Sequence, residues 1–143
     1  RTRLAEIETA GRALPRRPRV FFEEWDDPLI SGIRWVSQLV GIAGGDDCFP
    51  ELAVQALGKD RIIGDGAEIV RRNPDIIIGS WCGKKFVPAK VAARPGFNAI
   101  PAVRNGFLHE IKSTLILQPG PAALTDGLDA LVHIIDEWAA RSP

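Results

Sequence analysis

Asp75-Ile76-Ile77-Ile78-Gly79-Ser80 holds three consecutive isoleucines with no polar residue between them, which leaves a strand no face to turn toward water. Such a run reads as a strand covered on both sides, the pattern of a central strand in a parallel sheet. Just upstream, residues 67–72 have helical spacing, and Asn73-Pro74 ends it because a residue before proline is steered out of the helical region. Helix, break and doubly buried strand together are one step of an α/β chain. Working further upstream, Arg61-Ile62-Ile63 reads as a short strand. Leu29, Ile33, Val36, Leu39 and Val40 recur with a period near 3.6, which predicts a helix over residues 28–40. Pro28 suits its first turn and Gly44-Gly45 stop it. Val20-Phe21-Phe22 is a β-rich apolar strand, and the acidic run at 23–28 after it reads as a loop. Leu4, Ile7 and Leu14 mark a helix over residues 2–14, closed by Pro15 and Pro18. Downstream, a helix is predicted over residues 84–93, strands over 98–103 and 107–111, and a last helix over 122–140. That last helix puts Leu124, Leu128, Leu131, Val132, Ile135 and Trp138 on one face. Strands alternating with helices predict the α/β class: a three-layer α/β/α sandwich with a mainly parallel central sheet and right-handed crossovers.

The bulk properties narrow the function classes. At 143 residues, 45% hydrophobic and 25% charged, the chain has the balance of one globular domain with a single core. Lys plus Arg equals Asp plus Glu at 18 each, so no global field draws it to nucleic acid or to an anionic membrane. No apolar run approaches the roughly 20 residues a membrane-spanning helix needs. The segment from Arg1 to Glu6 is amphipathic rather than signal-like, and Met is absent even at position 1, so the chain reads as a processed or excised piece of something longer. His109 and His133 lack metal-pair spacing, and Cys48 and Cys82 lack the spacing of a zinc site. Two such cysteines are either one disulfide or two buried thiols. The sequence contains no dinucleotide fingerprint, P-loop, nucleophile elbow or zinc-protease motif.

In parallel sheets of this type ligands bind beyond the carboxyl ends of the strands. Two loops are expected there. The first, Glu23-Glu24-Trp25-Asp26-Asp27, combines four carboxylates with an aromatic face. It reads as ligand-contacting through Glu24, Trp25 and Asp26, as a solvated loop whose Asp27 caps the next helix, or as general acid/base machinery of an α/β enzyme. The second, Ser80 to Phe86, sets Trp81 beside Lys84 and Lys85, a mix suited to a flat ligand bearing anionic or amide groups. A structural Trp with two exposed lysines is its plain alternative.

The order of these elements resembles the second lobe of class III periplasmic binding proteins, and is closest to those that bind cobalamin. The residues that carry the likeness are the upstream helix, Arg19-Val20-Phe21-Phe22, Gly44-Gly45-Asp46-Asp47, the run from Glu68 to Ile78 through Asn73-Pro74-Asp75, and Leu117-Gln118-Pro119-Gly120-Pro121 before the final helix. The likeness spans nearly the whole chain. It implies a two-lobed binding protein of an ABC importer, not an enzyme, located in the periplasm or otherwise outside the cytoplasm. On it, residues 1–17 are the end of a helix bridging two lobes with its linker, residues 18–143 are the carboxy-terminal lobe, and an amino-terminal lobe lies outside this sequence. The implied ligand is cobalamin or a ferric siderophore, with no covalently bound cofactor. Trp25, Trp81, Lys84 and Lys85 would line the second wall of the cleft, and Arg61 stands where some cobalamin binders carry a stacking Trp. Glu68, with Asp65 as its rival, would dock to the permease and its ATPase. An exported chain favours a Cys48–Cys82 disulfide. A lobe on its own would expose an apolar interface and could pair with a second copy.

Overall fold

Alternation along two neighbouring strands sorts the core into two halves. The computed structural model describes residues 2–118 and 120–141. Arg1, Pro119, Ser142 and Pro143 fall outside the described residues, and with them the outer ends of the 1–17 and 18–143 segments and the middle of the Leu117–Pro121 stretch. The chain runs through helix α1 (Arg3–Arg12), strands β1 (Arg19–Asp26) and β2 (Leu29–Ser31), α2 (Arg34–Ala43), β3 (Asp46–Asp47), α3 (Pro50–Ala53), β4 (Ile62–Ile63), α4 (Ala67–Arg72), β5 (Ile76–Gly79), α5 (Pro88–Ala92), α6 (Pro101–Arg104), β6 (Leu108–Glu110), α7 (Ser113–Ile116) and α8 (Leu128–Arg141). The strands lie in the order β4-β2-β1-β5-β6, with β3 also on β1. β1 pairs in parallel with β3 and β5, and β5 pairs in parallel with β6. β2 is antiparallel to both β1 and β4, so it alone runs against the other strands.

Side chains on a strand point alternately to its two faces. Val20 and Phe22 of β1 join Ile76 and Ile78 of β5 under α2 and α8, where Val36, Leu39, Val40, Leu131, Ile135 and Trp138 meet them. Phe21 and Ile77 point the other way, onto Phe49, Ile69, Phe86, Val91, Phe97 and Ile100. All three isoleucines of β5 are fully buried. The sheet is therefore covered on both faces, and the three-layer α/β/α sandwich with a mainly parallel sheet is the architecture observed. α1 lies on the outside of the first layer with only Gly11 buried. A Cβ on Gly11 would come within 2.8 Å of the Ile42 carbonyl oxygen, so the missing side chain is what lets α1 approach the end of α2 so closely. Among the described residues, no helix is long and apolar enough to cross a membrane.

Four expectations are corrected. Residues 23–28 are not a loop: β1 continues through Asp26, turns at Asp27-Pro28 and returns as β2, with a bulge between Glu23 and Trp25. Pairing Leu29–Ser31 into the sheet displaces the start of the next helix from Pro28 to Arg34. Residues 98–103 are not a strand. Pro101 suits the first turn of a helix, so a 3-10 turn at Phe97–Ala99 runs into α6, and Phe97, Ile100 and Ala102 are buried from these turns. The helix expected over residues 84–93 is shorter, Pro88–Ala92, because proline is best tolerated in a first helical turn and here starts the helix.

Candidate functional site

β1, β5 and β6 run in parallel and end on the same side of the sheet, and the chain leaving β5 and β6 builds one wall there. A groove of about 610 Å³ opens there, lined among others by Trp81, Lys84, Lys85, Glu110, Lys112 and Ser113. Beneath it, alternation along β1 puts Glu23 on the same face as Phe21, where it is fully buried. A buried carboxylate needs charge and hydrogen-bond donors to offset its lost hydration. Arg94, at the end of α5, supplies both: its two terminal nitrogens donate to the two carboxylate oxygens at 2.8 and 2.9 Å. The indole N–H of Trp81 donates to the same carboxylate at 2.9 Å. Trp81 is only 4% exposed and meets the Phe86 ring edge-on at 4.9 Å. It is thus a fixed part of the groove floor rather than a free stacking face.

Phe86 occupies the space that a side chain on Gly79 would fill, since a Cβ there would overlap its ring. That close approach explains why β5 ends in glycine. Glu110, at the end of β6, accepts a hydrogen bond from the Phe86 backbone N–H at 3.0 Å and ties the Ser80–Phe86 loop to its neighbour strand. At the rim, the Lys84 ammonium pairs with Asp26 at 2.7 Å and sits 4.4 Å from the Trp25 ring and 5.1 Å from the Trp81 ring. Each half-exposed cation–π contact contributes about 0.5–1 kcal/mol, and together they hold the β1–β2 turn against the loop after β5. Burial alone would raise the Asp26 carboxyl, but the hydrogen bonds from Lys84 and the backbone and the charges of Lys84 and Arg94 hold it below its ordinary 3.8.

The predicted residues therefore divide. Trp25, Asp26, Trp81 and Lys84 are brought into one cluster, with Lys85 beside them on the groove wall. Glu24, pushed out of register by the bulge, is elsewhere. Its carboxylate accepts from the Ile33 N–H at 2.6 Å and from Arg61 at 3.0 Å. Burial raises its pKa and the Arg61 charge opposes that rise. Arg61 is itself buried, and also donates to the carbonyls of Ser31 and Gln55. It locks the hairpin and is not a stacking position. Glu68 stands apart on α4, its carboxylate shared by Arg71 at 2.7 Å and Arg72 at 3.3 Å, and those hydrogen bonds hold its pKa below the ordinary value. Asp65 accepts from the Ala67 N–H at 2.9 Å where α4 begins.

Cys48 and Cys82 are both free thiols, so the expected disulfide is absent. Topology explains this. Cys48 bonds through its N–H to the Val20 carbonyl near the start of β1, whereas Cys82 lies past the end of β5, whose Ile76 pairs with Val20. At about 3.3 Å of rise per strand residue that separation exceeds the ~7 Å Cα span a disulfide tolerates. Three of the four carboxylates of the acidic run, Glu23, Glu24 and Asp26, are each committed to a cation, which weighs against the acid/base reading. Among the described residues, no group of three or more His, Cys, Asp or Glu is placed to hold a metal ion.

Sequence reasoning missed Arg94 and Arg61. The available signal was the strand alternation that puts Glu23 beside Phe21, which demands a buried cation; nothing in the sequence marks a residue 71 positions away as that cation.

Comparisons with known proteins bear on the family and the fold. A family model described as periplasmic binding protein matches residues 1–115. No curated protein matches the sequence. Among solved structures, an ABC transporter substrate-binding protein from Listeria monocytogenes is similar with a TM-score of 0.75 at 14% identity, over 94% of this chain and 53% of that one. A possible iron-binding (periplasmic solute-binding) protein from Staphylococcus epidermidis gives 0.70 at 20% identity, over 92% of this chain and 51% of that one. The periplasmic vitamin B12 binding protein of Vibrio cholerae gives 0.69 at 17%, over 98% and 51%. The chain spans about half the length of these structures, and at such identities the likeness concerns the fold.

Proposed function

The chain belongs to the periplasmic binding protein family, and from that premise we propose that it forms the carboxy-terminal lobe of the extracytoplasmic solute-binding component of an ABC importer. The observation that carries this reading is the groove beyond the carboxyl ends of β5 and β6, walled by Trp81, Lys84 and Lys85. Ligand crevices of open α/β sheets lie in that position. In this reading the groove is one wall of a cleft, α1 and the linker to Pro18 are the end of the segment joining two lobes, and an amino-terminal lobe supplies the other wall.

The ligand is a corrinoid such as cobalamin or a ferric siderophore. Support comes from an aromatic and cationic rim suited to a bulky chelate, and from similar structures that include a vitamin B12 binding protein and a possible iron-binding protein. Glu68 is the contact for the permease, with Asp65 as its alternative. The Glu68 carboxylate stays ionised through its arginine neighbours, and a permease arginine would have to share it with Arg71 and Arg72.

The test is an equilibrium titration of the intact protein with cyanocobalamin, ferrichrome, ferrioxamine B and ferric citrate, followed by intrinsic tryptophan fluorescence, which Trp25 and Trp81 at the groove make sensitive to occupancy. Saturable quenching by one of them supports the reading. Absence of binding to all four argues against it.

A further inference from the structure

We infer that the groove selects an anionic small molecule, one whose carboxylate-type oxygens are taken up by Lys85 and Lys112. This rests on the reading of the groove as a ligand-cleft wall and specifies the class of ligand it takes. Three lysines line the groove, Lys84, Lys85 and Lys112, against one carboxylate, Glu110. Lys84 is already neutralised by Asp26. Glu110 accepts a hydrogen bond from the Phe86 N–H. Among the described residues, Lys85 and Lys112 have no acidic partner. Even with Asp26 and Glu110 both counted, the wall keeps a surplus cation, in a chain whose net charge is zero. The surplus is therefore a local feature of this wall and not spill-over from a basic protein.

The lysines also come from two separate places, Lys84 and Lys85 from the loop after β5 and Lys112 from the turn after β6. Lysines from neighbouring strand ends thus line one space, and Ser113 and Thr114 lie on the same wall. The groove volume of about 610 Å³ suits a molecule of several hundred daltons. An uncharged ligand would bury these ammonium groups without replacing their hydration, which is costly. An oxyanion-bearing ligand would convert them into charge-assisted hydrogen bonds. The wall thus favours a polycarboxylate-type chelate over an uncharged hydroxamate chelate or an uncharged corrinoid.

The experiment uses the intact protein and ferric citrate as the anionic probe, ferrichrome and cyanocobalamin as uncharged ones and ferrioxamine B as a cationic one, with affinities measured at low and moderate salt. Ferric citrate is expected to bind at least about tenfold tighter than the other three and to weaken with salt. Lys85→Gln and Lys112→Gln should each weaken ferric citrate by roughly tenfold, and by clearly more than they weaken any ferrichrome binding. Lys59→Gln, near β4 at the far edge of the sheet, should change nothing. If ferrichrome or cyanocobalamin binds as tightly as ferric citrate, or if the lysine substitutions leave ferric citrate untouched, the inference about charge is overturned while the solute-binding reading stands. If none of the four binds saturably, both fall.

Discussion

Replacing Glu23 should disturb the lobe more than any exposed acid, and the reason can be worked through its partners. Glu23→Ala removes a fully buried carboxylate that accepts two bonds from Arg94 and one from Trp81. Breaking a buried ion pair from one side costs about 3–5 kcal/mol because the surviving charge stays desolvated. Arg94 keeps 17% exposure and can recover some hydration, so the lower end applies, near 3 kcal/mol. The orphaned Trp81 N–H adds about 1 kcal/mol. Arg94→Ala leaves the carboxylate itself stranded with only the indole donor, and should cost about 4–5 kcal/mol. Removing both residues together abolishes both charges. The double variant should therefore cost well under the sum, with a coupling of about 2–3 kcal/mol. Urea unfolding followed by far-ultraviolet circular dichroism measures this without relying on the fluorescence of Trp81, and Glu23→Gln serves as the milder member should Glu23→Ala be unfolded in buffer. Single-variant costs below about 1 kcal/mol, or additivity within about 0.5 kcal/mol, would refute the claim that this pair anchors the groove floor.

Gly79→Ala should destabilise by about 2–3 kcal/mol through the overlap of the new methyl with the Phe86 ring. Phe86→Leu in the same chain should return part of that loss in a urea titration. Burial pushes the Cys48 thiol up to about 12 and Cys82 is exposed, so iodoacetamide near neutral pH should label Cys82 alone in the native protein and both only in denaturant, with intact mass reporting no disulfide. The same Cys48 shift has a sign for stability. The unfolded thiol ionises from its ordinary 9.0 while the folded one does not, so stability should fall as pH rises above that value. His109 runs the other way: burial lowers its pKa from 6.5, so stability present above 6.5 should be lost as pH falls from there toward the lower folded value, and His109→Leu should flatten the decline of thermal stability below pH 6.5.

How far such features could be foreseen differs between the layers and the site. The layers follow from local pattern. Three isoleucines in a row predict a doubly covered strand, and β5 is one. The spacing from Leu29 to Val40 predicts an amphipathic helix, and although it starts only at Arg34, Val36, Leu39 and Val40 are its buried face. What local pattern misjudged was the acidic run after Val20-Phe21-Phe22. Charge argued for solvent, whereas the backbone continued as a strand, and the carboxylates were met by cations remote in sequence: Arg94 for Glu23, Arg61 for Glu24 and Lys84 for Asp26. Residues 98–103 failed for a related reason, since Ile100 and Val103 suggest a strand while Pro101 donates no ladder hydrogen bond and suits a helix start.

That misjudgement bears on what the site is. A solvated acidic loop would present free carboxylates to a ligand. A hairpin whose Glu23, Glu24 and Asp26 are each paired with a cation presents the cations and rings held around them instead. Glu23 fixes Trp81, Asp26 fixes Lys84 over Trp25, and Glu110 fixes the loop at Phe86, so each acid is spent on positioning. The uncommitted charges left at the groove are Lys85 and Lys112, which the chain order supplies from two different strand ends. Glu23, Glu24 and Asp26 are thus scaffolding, and on the proposed reading the binding character of the wall rests on lysines that, read singly, look like ordinary surface charge.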